Sequence, residues 1–303
     1  MTIDEQIVKI GDEIRETPYH KATEHHIGKL KAKLSKLRDQ MLRGAKKGKG
    51  GGGGGFGVKK QGNATVVLLG FPSVGKSTLI NKLTNADSKI APYAFTTVSV
   101  IPGMMRYHGA YIQILDLPGI IEQASHGKGR GRQVLSVVKS ADLILAMTEV
   151  GAESDFSIIE KELKIVGVLL NVKSYDSRIY DSIPAIYIIN KIDTSKALLQ
   201  KTNYLYISAE KEINLENLRE LIWEKLHLKR VYLKQSNLPP DMEKPLIVEK
   251  DADVYEIALK ISTEMALRVR SANIWLGNSK FPNQKVSLNF FPADRTVVEL
   301  NFK

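Results

Sequence analysis

The sequence of 303 residues predicts an α/β protein with a doubly wound, mostly parallel sheet, a helical hairpin before it and a small α+β module after it. Three observations support this prediction. The chain opens with two apolar stripes at helical spacing. Its middle alternates near-continuous aliphatic runs with helical stretches, and prolines then separate a last segment of short strand-like runs.

The composition is that of a globular protein, with 43% hydrophobic and 25% charged residues. No apolar run approaches the roughly 20 residues that a membrane helix needs, and the opening MTIDEQIVKI does not resemble a secretory signal. We therefore expect a soluble, cytoplasmic monomer without a membrane partner. Because the chain has no cysteine, disulfides, thiolate metal sites and cysteine nucleophiles are excluded, and any catalytic metal must have oxygen ligands.

The net charge of +11 is concentrated in one segment. Residues 29–60 contain eleven Lys or Arg residues and a single acid, Asp39. A basic block of this kind is typical of nucleic-acid binding, and ribosomal RNA would be a natural partner. The alternative is a charged helix face that only meets solvent.

The first 43 residues contain both helical stripes. The first stripe is Ile3, Ile7, Ile10 and Ile14, and the second is Ile27, Leu30, Leu34, Leu37 and Met41. Thr17-Pro18 lies between them, where a proline interrupts a helix, so residues 1–43 are predicted to form a helical hairpin with facing seams. Residues 44–62, with six consecutive glycines at 50–55, are predicted to be a basic, glycine-rich linker.

The central domain is predicted at 63–231. Its strand-like runs are TVVLLG, YIQILDL, ADLILAM, AIYIIN and YLYIS, and its last helix is predicted at 215–228. The prolines of KQSNLPPDMEKP indicate a boundary, after which 232–303 is predicted as a separate domain with its core at about 245–303. Its strand runs and one helical run, at 254–270, favour a β-grasp module.

The run GFPSVGKS has the spacing of a phosphate-binding loop, directly after a strand and at the start of an apolar helix. Glycines allow the backbone N–H groups to point at phosphates, Lys76 is placed to bridge the terminal phosphates, and the Ser77 hydroxyl is a predicted Mg²⁺ ligand. The sequence therefore predicts a P-loop domain. The predicted nucleotide-binding residues in this loop are Gly70, Phe71, Pro72, Ser73, Val74, Gly75, Lys76, Ser77 and Thr78.

Three further motifs follow strands in order and predict a guanine site. Asp116 opens D-L-P-G, which places a carboxylate near the metal and the Gly119 N–H near a γ-phosphate. Asp193, in N-K-I-D, can accept hydrogen bonds from the two guanine donors that adenine lacks. Ala209, in S-A-E, is predicted to donate its N–H to the guanine carbonyl, while Ser208 steadies the Asp193 loop. The predicted residues are Asp116, Leu117, Pro118, Gly119, Asn190, Lys191, Asp193, Ser208, Ala209 and Glu210.

The segment YAFTTVSVIPGMM lies between the phosphate loop and the aspartate motif. A threonine hydroxyl there would complete the Mg²⁺ shell when a γ-phosphate is present, and its release would free the loop. Thr97 is the preferred ligand and Thr96 the alternative. The competing interpretation is two threonines in an ordinary approach to a strand.

Together these residues resemble the developmentally regulated GTP-binding proteins, the archaeal and eukaryotic branch of the Obg family. The resemblance covers almost the whole chain, including GFPSVGKSTLINKLT, YAFTTVSVIPGMM, GKGRGRQVL, NKID and the C-terminal IWLGNSKFPNQKV, which is similar to a TGS domain. It implies an Obg-type G domain that binds GTP and GDP, GTPase activity with Mg²⁺, and work in translation at the ribosome. It leaves a regulatory protein partner and a potassium ion as open candidates for raising that activity.

The sequence departs from the family pattern at several points. Relatives carry an inserted subdomain in the G domain before the guanine-reading loop. This chain has only the segment GVLLNVKSYDSRIYDSIPAIYIIN there. Ser73 stands where potassium-dependent relatives often have Asn, Glu149 ends a strand where Asp is usual, and Gln123 replaces a glycine.

Many signalling GTPases have a glutamine after the D-x-x-G glycine to orient water, but this chain has Ile120. Slow intrinsic hydrolysis is therefore expected. His126 and His108 are weaker candidates for the water-orienting role, since a loop histidine is more often a surface residue. Two other functions stay open: an RNA-binding scaffold that is only stabilised by nucleotide, and an ATPase, which Asp193 disfavours.

Overall fold

The computed structural model describes residues 3–18, 21, 23–43, 61–84, 101–117, 137–165, 167–173, 180–194 and 203–302. Residues 44–60 of the predicted linker lie outside this set. The chain divides into two compact units, Met1–Met105 with Gln113–Arg219, and Arg106–Ile112 with Glu220–Lys303. Among the described residues, no helix combines the length and apolarity needed to cross a bilayer.

Two helices form the predicted N-terminal hairpin: α1 spans Ile3–Glu16 and α2 spans Glu24–Arg43. The predicted seams do face each other. Five of the stripe residues are buried in one cluster with Ile165 and Tyr180, namely Ile10, Ile14, Ile27, Leu34 and Leu37. The side chains of Ile3, Ile7 and Met41 are outside the described set. The hairpin thus gains its core from the central domain as well as from itself.

The central domain alternates strands and helices as predicted. Its elements are β1 (Ala64–Gly70), α3 (Lys76–Leu83), β2 (Ile101–Tyr107), β3 (Ala110–Asp116), β4 (Leu143–Glu149), α4 (Asp155–Ile165), β5 (Val168–Leu170), β6 (Asp181–Ile183), β7 (Ala185–Asn190), β8 (Leu205–Tyr206) and α5 (Leu215–Lys225).

The main sheet has the strand order β2-β3-β1-β4-β7-β8, with β1, β4, β7 and β8 parallel. Val66, Val67, Leu68 and Leu69 are successive residues of β1 that point to alternate faces, and all are at most 1% exposed. Both faces of the sheet are therefore covered, as the near-continuous apolar run predicts. The carboxyl ends of these parallel strands meet at one edge of the sheet, where the predicted motifs lie.

The C-terminal sheet confirms the predicted β-grasp arrangement. Its strand order is β10-β9-β13-β11-β12, with β9 and β13 parallel and the other neighbouring pairs antiparallel. The predicted helical run breaks at Ser262, whose side chain caps the next helix by accepting from the Met265 N–H. The elements are β9 (Leu228–Leu233), β10 (Leu246–Glu249), α6 (Val254–Ile261), α7 (Thr263–Arg268), β11 (Val269–Trp275), β12 (Gln284–Val286) and β13 (Thr296–Phe302).

The predicted boundary between 231 and 232 falls inside β9, which pairs with β10 and β13. The contacts of Lys229 show which domain this strand belongs to. It is 2% exposed, and its ammonium donates hydrogen bonds of 2.7 Å to the carbonyls of Ala252 and Pro292, both in the C-terminal unit. The helix before it also ends at Lys225, three residues earlier than predicted. The prolines of KQSNLPP therefore mark the loop between β9 and β10 rather than a domain boundary.

Candidate nucleotide-binding site

The loop between β1 and α3 has a backbone that requires its two glycines. Gly75 has a φ of 97°, in the left-handed region, and a Cβ built there would lie 2.5 Å from Asn190 Nδ2. A Cβ on Gly70 would lie 2.4 Å from the Met147 carbonyl oxygen. Both positions therefore exclude larger residues on steric grounds. The loop brings its backbone to the N-terminus of α3, which is a favourable place for an anion.

Lys76 begins α3 and folds its side chain back across the loop. Its ammonium donates to the carbonyl oxygens of Gly70 and Phe71 at 2.9 and 2.8 Å. The positive charge is thus held beside the N-terminal N–H groups of the helix. A lysine and a helix N-terminus at the same point form a site for a phosphate group.

Asp116 ends β3 and is the carboxylate of this site. It is 3% exposed, and its Oδ1 has no hydrogen-bond partner in the described structure. Burial raises the pKa of Asp116 above its ordinary value, whereas the Lys76 charge and a hydrogen bond with Ser77 act to lower it.

A buried carboxylate oxygen without a partner is costly unless it binds a cation. The donor set of Ser77 and Asp116 consists of oxygen atoms, which Mg²⁺ prefers. The arrangement therefore fits the predicted magnesium ion.

Asn190 joins three motifs that are far apart in the sequence. Its side-chain Nδ2 donates to the Val74 carbonyl at 2.9 Å, and its Oδ1 accepts from the Ala209 N–H at 2.9 Å. Asn190 is 3% exposed, so both contacts are shielded from water. This one side chain fixes the position of the N-K-I-D loop relative to the phosphate loop. Asn190 was predicted as a site residue, but its sequence motif does not predict this role.

The S-A-E segment makes contacts within the protein that the sequence did not predict, while its contact with the base stays a prediction. The Ala209 N–H, predicted to meet the guanine carbonyl, donates to Asn190 in this structure. Ser208, predicted to steady the Asp193 loop, instead accepts from the Lys211 N–H at 3.0 Å and so stabilises its own turn.

Asp193 lies in a short 3-10 helix, Ile192–Thr194, and its side chain is exposed. The preceding Lys191 has a left-handed backbone with a φ of 63°. Its ammonium lies 2.5 Å from a carboxylate oxygen of Glu149. Glu149, a departure from the family pattern without an explanation in sequence, is therefore the ion-pair partner of a predicted site residue.

The remaining predicted nucleotide-binding residues differ in how far they are exposed to solvent. Val74 is buried, Pro72 and Ser73 are exposed, and Phe71 packs partly against the core. Leu117 is buried and continues the strand that carries Asp116. Thr78 lies in α3 and Glu210 in the exposed turn after Ala209.

Several predicted residues lie outside the described structure, and their roles stay predictions. They are Thr96, Thr97, Pro118, Gly119, Ile120, Gln123 and His126.

His108 is described, and it does not serve the site. It lies in the turn before β3, where its ring contacts Glu220 and Trp223. Asp116 is at the opposite end of β3, about 20 Å away along an extended strand of this length. The prediction that His108 could orient water is wrong because the strand carries it away from the phosphates.

Comparisons with known proteins agree with this geometry. A family model described as a 50S ribosome-binding GTPase matches residues 65–191, from β1 to the N-K-I-D loop. Human developmentally-regulated GTP-binding protein 2 is 35% identical over 99% of both chains. The chain belongs to the developmentally regulated GTP-binding protein family.

Other members of the family extend this likeness. Developmentally-regulated G-protein 3 of Arabidopsis thaliana is 38% identical over 99% of this chain and 98% of its own. An uncharacterised GTP-binding protein of Methanocaldococcus jannaschii is 38% identical over 100% of this chain and 94% of its own. That alignment runs over 369 positions, more than the 303 residues here, so this relative carries residues that the present chain lacks.

Proposed function

We propose that this protein binds GTP and GDP, hydrolyses GTP slowly with Mg²⁺ and uses the bound nucleotide as a switch. The observation that carries the proposal is the Asn190 link between the phosphate loop and the base-reading loop, with bonds of 2.9 Å on both sides. This link fixes the distance between the phosphate-binding loop at one end of the site and Asp193 at the other end. A nucleotide with a guanine base has the chemistry to meet both ends.

The residues at the phosphate end would act mainly by position and charge. Lys76 and the N–H groups of the loop would bind the terminal phosphates, with the Gly119 N–H as a further predicted donor. Ser77 and Asp116 would hold Mg²⁺, joined by Thr97. When bound, this ion neutralises charge that develops on the phosphate oxygens.

The slow rate that we propose follows from the residue after Gly119. An aliphatic Ile120 cannot orient water, so a ribosome, a protein partner or a monovalent cation such as K⁺ would have to complete the site. The nucleotide-stabilised scaffold is the alternative, and the buried Asp116 oxygen disfavours it, because a purely structural site does not need a metal ligand of this kind.

The ribosome is the partner that we propose, with two lines of support. The matching family model is described as ribosome-binding. In addition, Lys29, Lys33 and Lys36 are exposed on α2, on a face of the helix next to the one that buries Leu34 and Leu37. The second proposed contact surface is the C-terminal β-grasp domain, whose sequence resembles that of a TGS domain.

The nucleotide assignment is tested by Asp193→Asn. In the wild type, the carboxylate would accept two hydrogen bonds from guanine, each worth about 1.5 to 3 kcal/mol. The amide would instead face the 2-amino group of guanine with its own N–H₂, so GTP affinity should fall at least about a hundredfold. Xanthine has a 2-oxo group there, so the variant should prefer XTP.

Affinities of both proteins for GTP, XTP and ATP decide the matter. The wild type should prefer GTP to both others, and ATP binding should be weak in both proteins. A variant that still preferred GTP would show that the N-K-I-D loop does not read the base.

A further inference from the structure

Glu149 and Lys191 join the ends of two neighbouring strands at the proposed base site. Glu149 is the last residue of β4, and the register pairs it with Asn190, the last residue of β7. We infer that Glu149 is a positioning residue: it holds the Lys191 ammonium away from Asp193 and so keeps that carboxylate available for the guanine base. This inference rests on the proposed guanine specificity and adds a residue that no motif contains.

The backbone around Lys191 is fixed from several sides. The Asn190 carbonyl accepts from the Val150 N–H at 3.3 Å, and the Lys191 carbonyl accepts from the Thr194 hydroxyl at 2.8 Å. The Ile192 N–H donates to Ile207 at 3.3 Å. These contacts hold Lys191 in its left-handed conformation, which is unfavourable for a residue with a side chain. They do not determine where its long side chain points.

The ion pair has little to contribute to folding. The Lys191 and Glu149 side chains are 38% and 44% exposed, and ion pairs with this exposure contribute little to the free energy of unfolding. Its effect on the site is more direct. Lys191 is two residues before Asp193, whose carboxylate is exposed and has no ion pair among the described residues. A released ammonium would have Asp193 as a nearby anion and would compete with the base for it.

The length of the Glu149 side chain matters for this role. Its carboxylate accepts a hydrogen bond from the Lys191 ammonium, and an aspartate, which keeps the charge, would end about 1.5 Å earlier. Glutamine keeps the length and loses the charge. Glu149→Gln and Glu149→Asp therefore separate the two requirements, and Gln should have the larger effect.

Asp181→Asn provides a matched control. Asp181 forms an exposed ion pair with Lys139 at 2.7 Å in the same unit, with side chains 51% and 40% exposed, and it belongs to no site motif. Its loss removes an equivalent surface pair. Any general effect of weakening a surface ion pair on stability or nucleotide release should therefore appear in this variant too.

The experiment measures dissociation of GDP and of inosine diphosphate from the full chain and its variants, together with their thermal unfolding. Inosine lacks the 2-amino group, so it depends less on Asp193. We expect Glu149→Gln to release GDP about fivefold faster. This is the change expected when an exposed ion pair at the upper end of the usual strength is lost. Release of inosine diphosphate should change less, and the unfolding temperature should match that of Asp181→Asn.

The possible results separate this inference from the proposed function. Unchanged GDP release in Glu149→Gln, or equal acceleration for both nucleotides, would overturn the role of Glu149 alone. A wild type that bound ADP as well as GDP would overturn the guanine assignment and this inference together.

Discussion

At the scale of single residues, the site depends on the absence of one side chain and the presence of another. Gly75 leaves the space that the Asn190 amide occupies, and Asn190 uses that space to reach the Val74 carbonyl. The glycine therefore has two functions: it adopts a left-handed backbone and it permits the bridge. The chain offers a way to separate them, because Gly151 has a similar φ of 87° but open space around its Cβ position.

We predict that Gly151→Ala and Gly75→Ala both lose stability, by about 1 to 2 kcal/mol from the left-handed backbone. Only Gly75→Ala should also displace the Asn190 amide, so its GDP affinity should fall more than about tenfold while that of Gly151→Ala stays within twofold. Urea unfolding and GDP titration of both variants measure the two effects. Equal GDP affinities in the two variants would show that the bridge does not matter for binding.

At the scale of elements, the strands and helices with a strong apolar pattern were predictable. The five central strand runs and the N-terminal stripes form where the sequence places them, whereas β9 lies across the predicted domain boundary. Each predicted motif whose residues are described lies at a strand end. The local apolar pattern determines the strand, and the glycines and polar residues after it determine the loop.

The elements that the sequence did not reveal depend on distant partners. β2, with the sequence IPGMMRY, contains a proline and a glycine and has weak strand character, so it forms through its pairing with β3 at the edge of the sheet. The Asn190 bridge joins residues 116 positions apart, and no local pattern encodes it. The ion-pair partner of Glu149 was likewise invisible because β4 and β7 become neighbours only in the folded sheet.

The structure also indicates how the basic segment should be tested. Deleting it would remove Leu34 and Leu37 from the core of the hairpin, so substitutions on the exposed face of α2 are the cleaner change. We predict that Lys29→Gln, Lys33→Gln and Lys36→Gln together weaken ribosome binding. If all three contact phosphates, the log-log salt slope should become shallower by about 2 to 3.

A variant with Lys161, Lys173 and Lys225 changed to Gln has the same net charge and serves as the control. It should bind the ribosome with the salt slope of the wild type. The RNA-binding role of α2 would be wrong if the two triple variants had equal slopes.

At the scale of the whole molecule, the described nucleotide-site residues lie in the first unit, and the C-terminal sheet has a separate core. This division is consistent with the proposal that the first domain binds nucleotide and the C-terminal domain contacts a partner. In the proposed contact with the ribosome, the net charge of +11 would add a general attraction to RNA that depends on salt.

The central claim is that the assembled site turns over GTP, and single-turnover hydrolysis by the full chain tests it most directly. GTP or ATP is mixed with excess wild type, Lys76→Ala or Ser77→Ala, with Mg²⁺, in the presence and absence of ribosomes. The wild type should hydrolyse GTP slowly alone and faster with ribosomes, and it should leave ATP intact. Each variant should lose at least about a hundredfold in rate, because one lacks the phosphate cation and the other a proposed metal ligand. Hydrolysis at the wild-type rate in either variant, or no GTP turnover by the wild type under any of these conditions, would contradict the account.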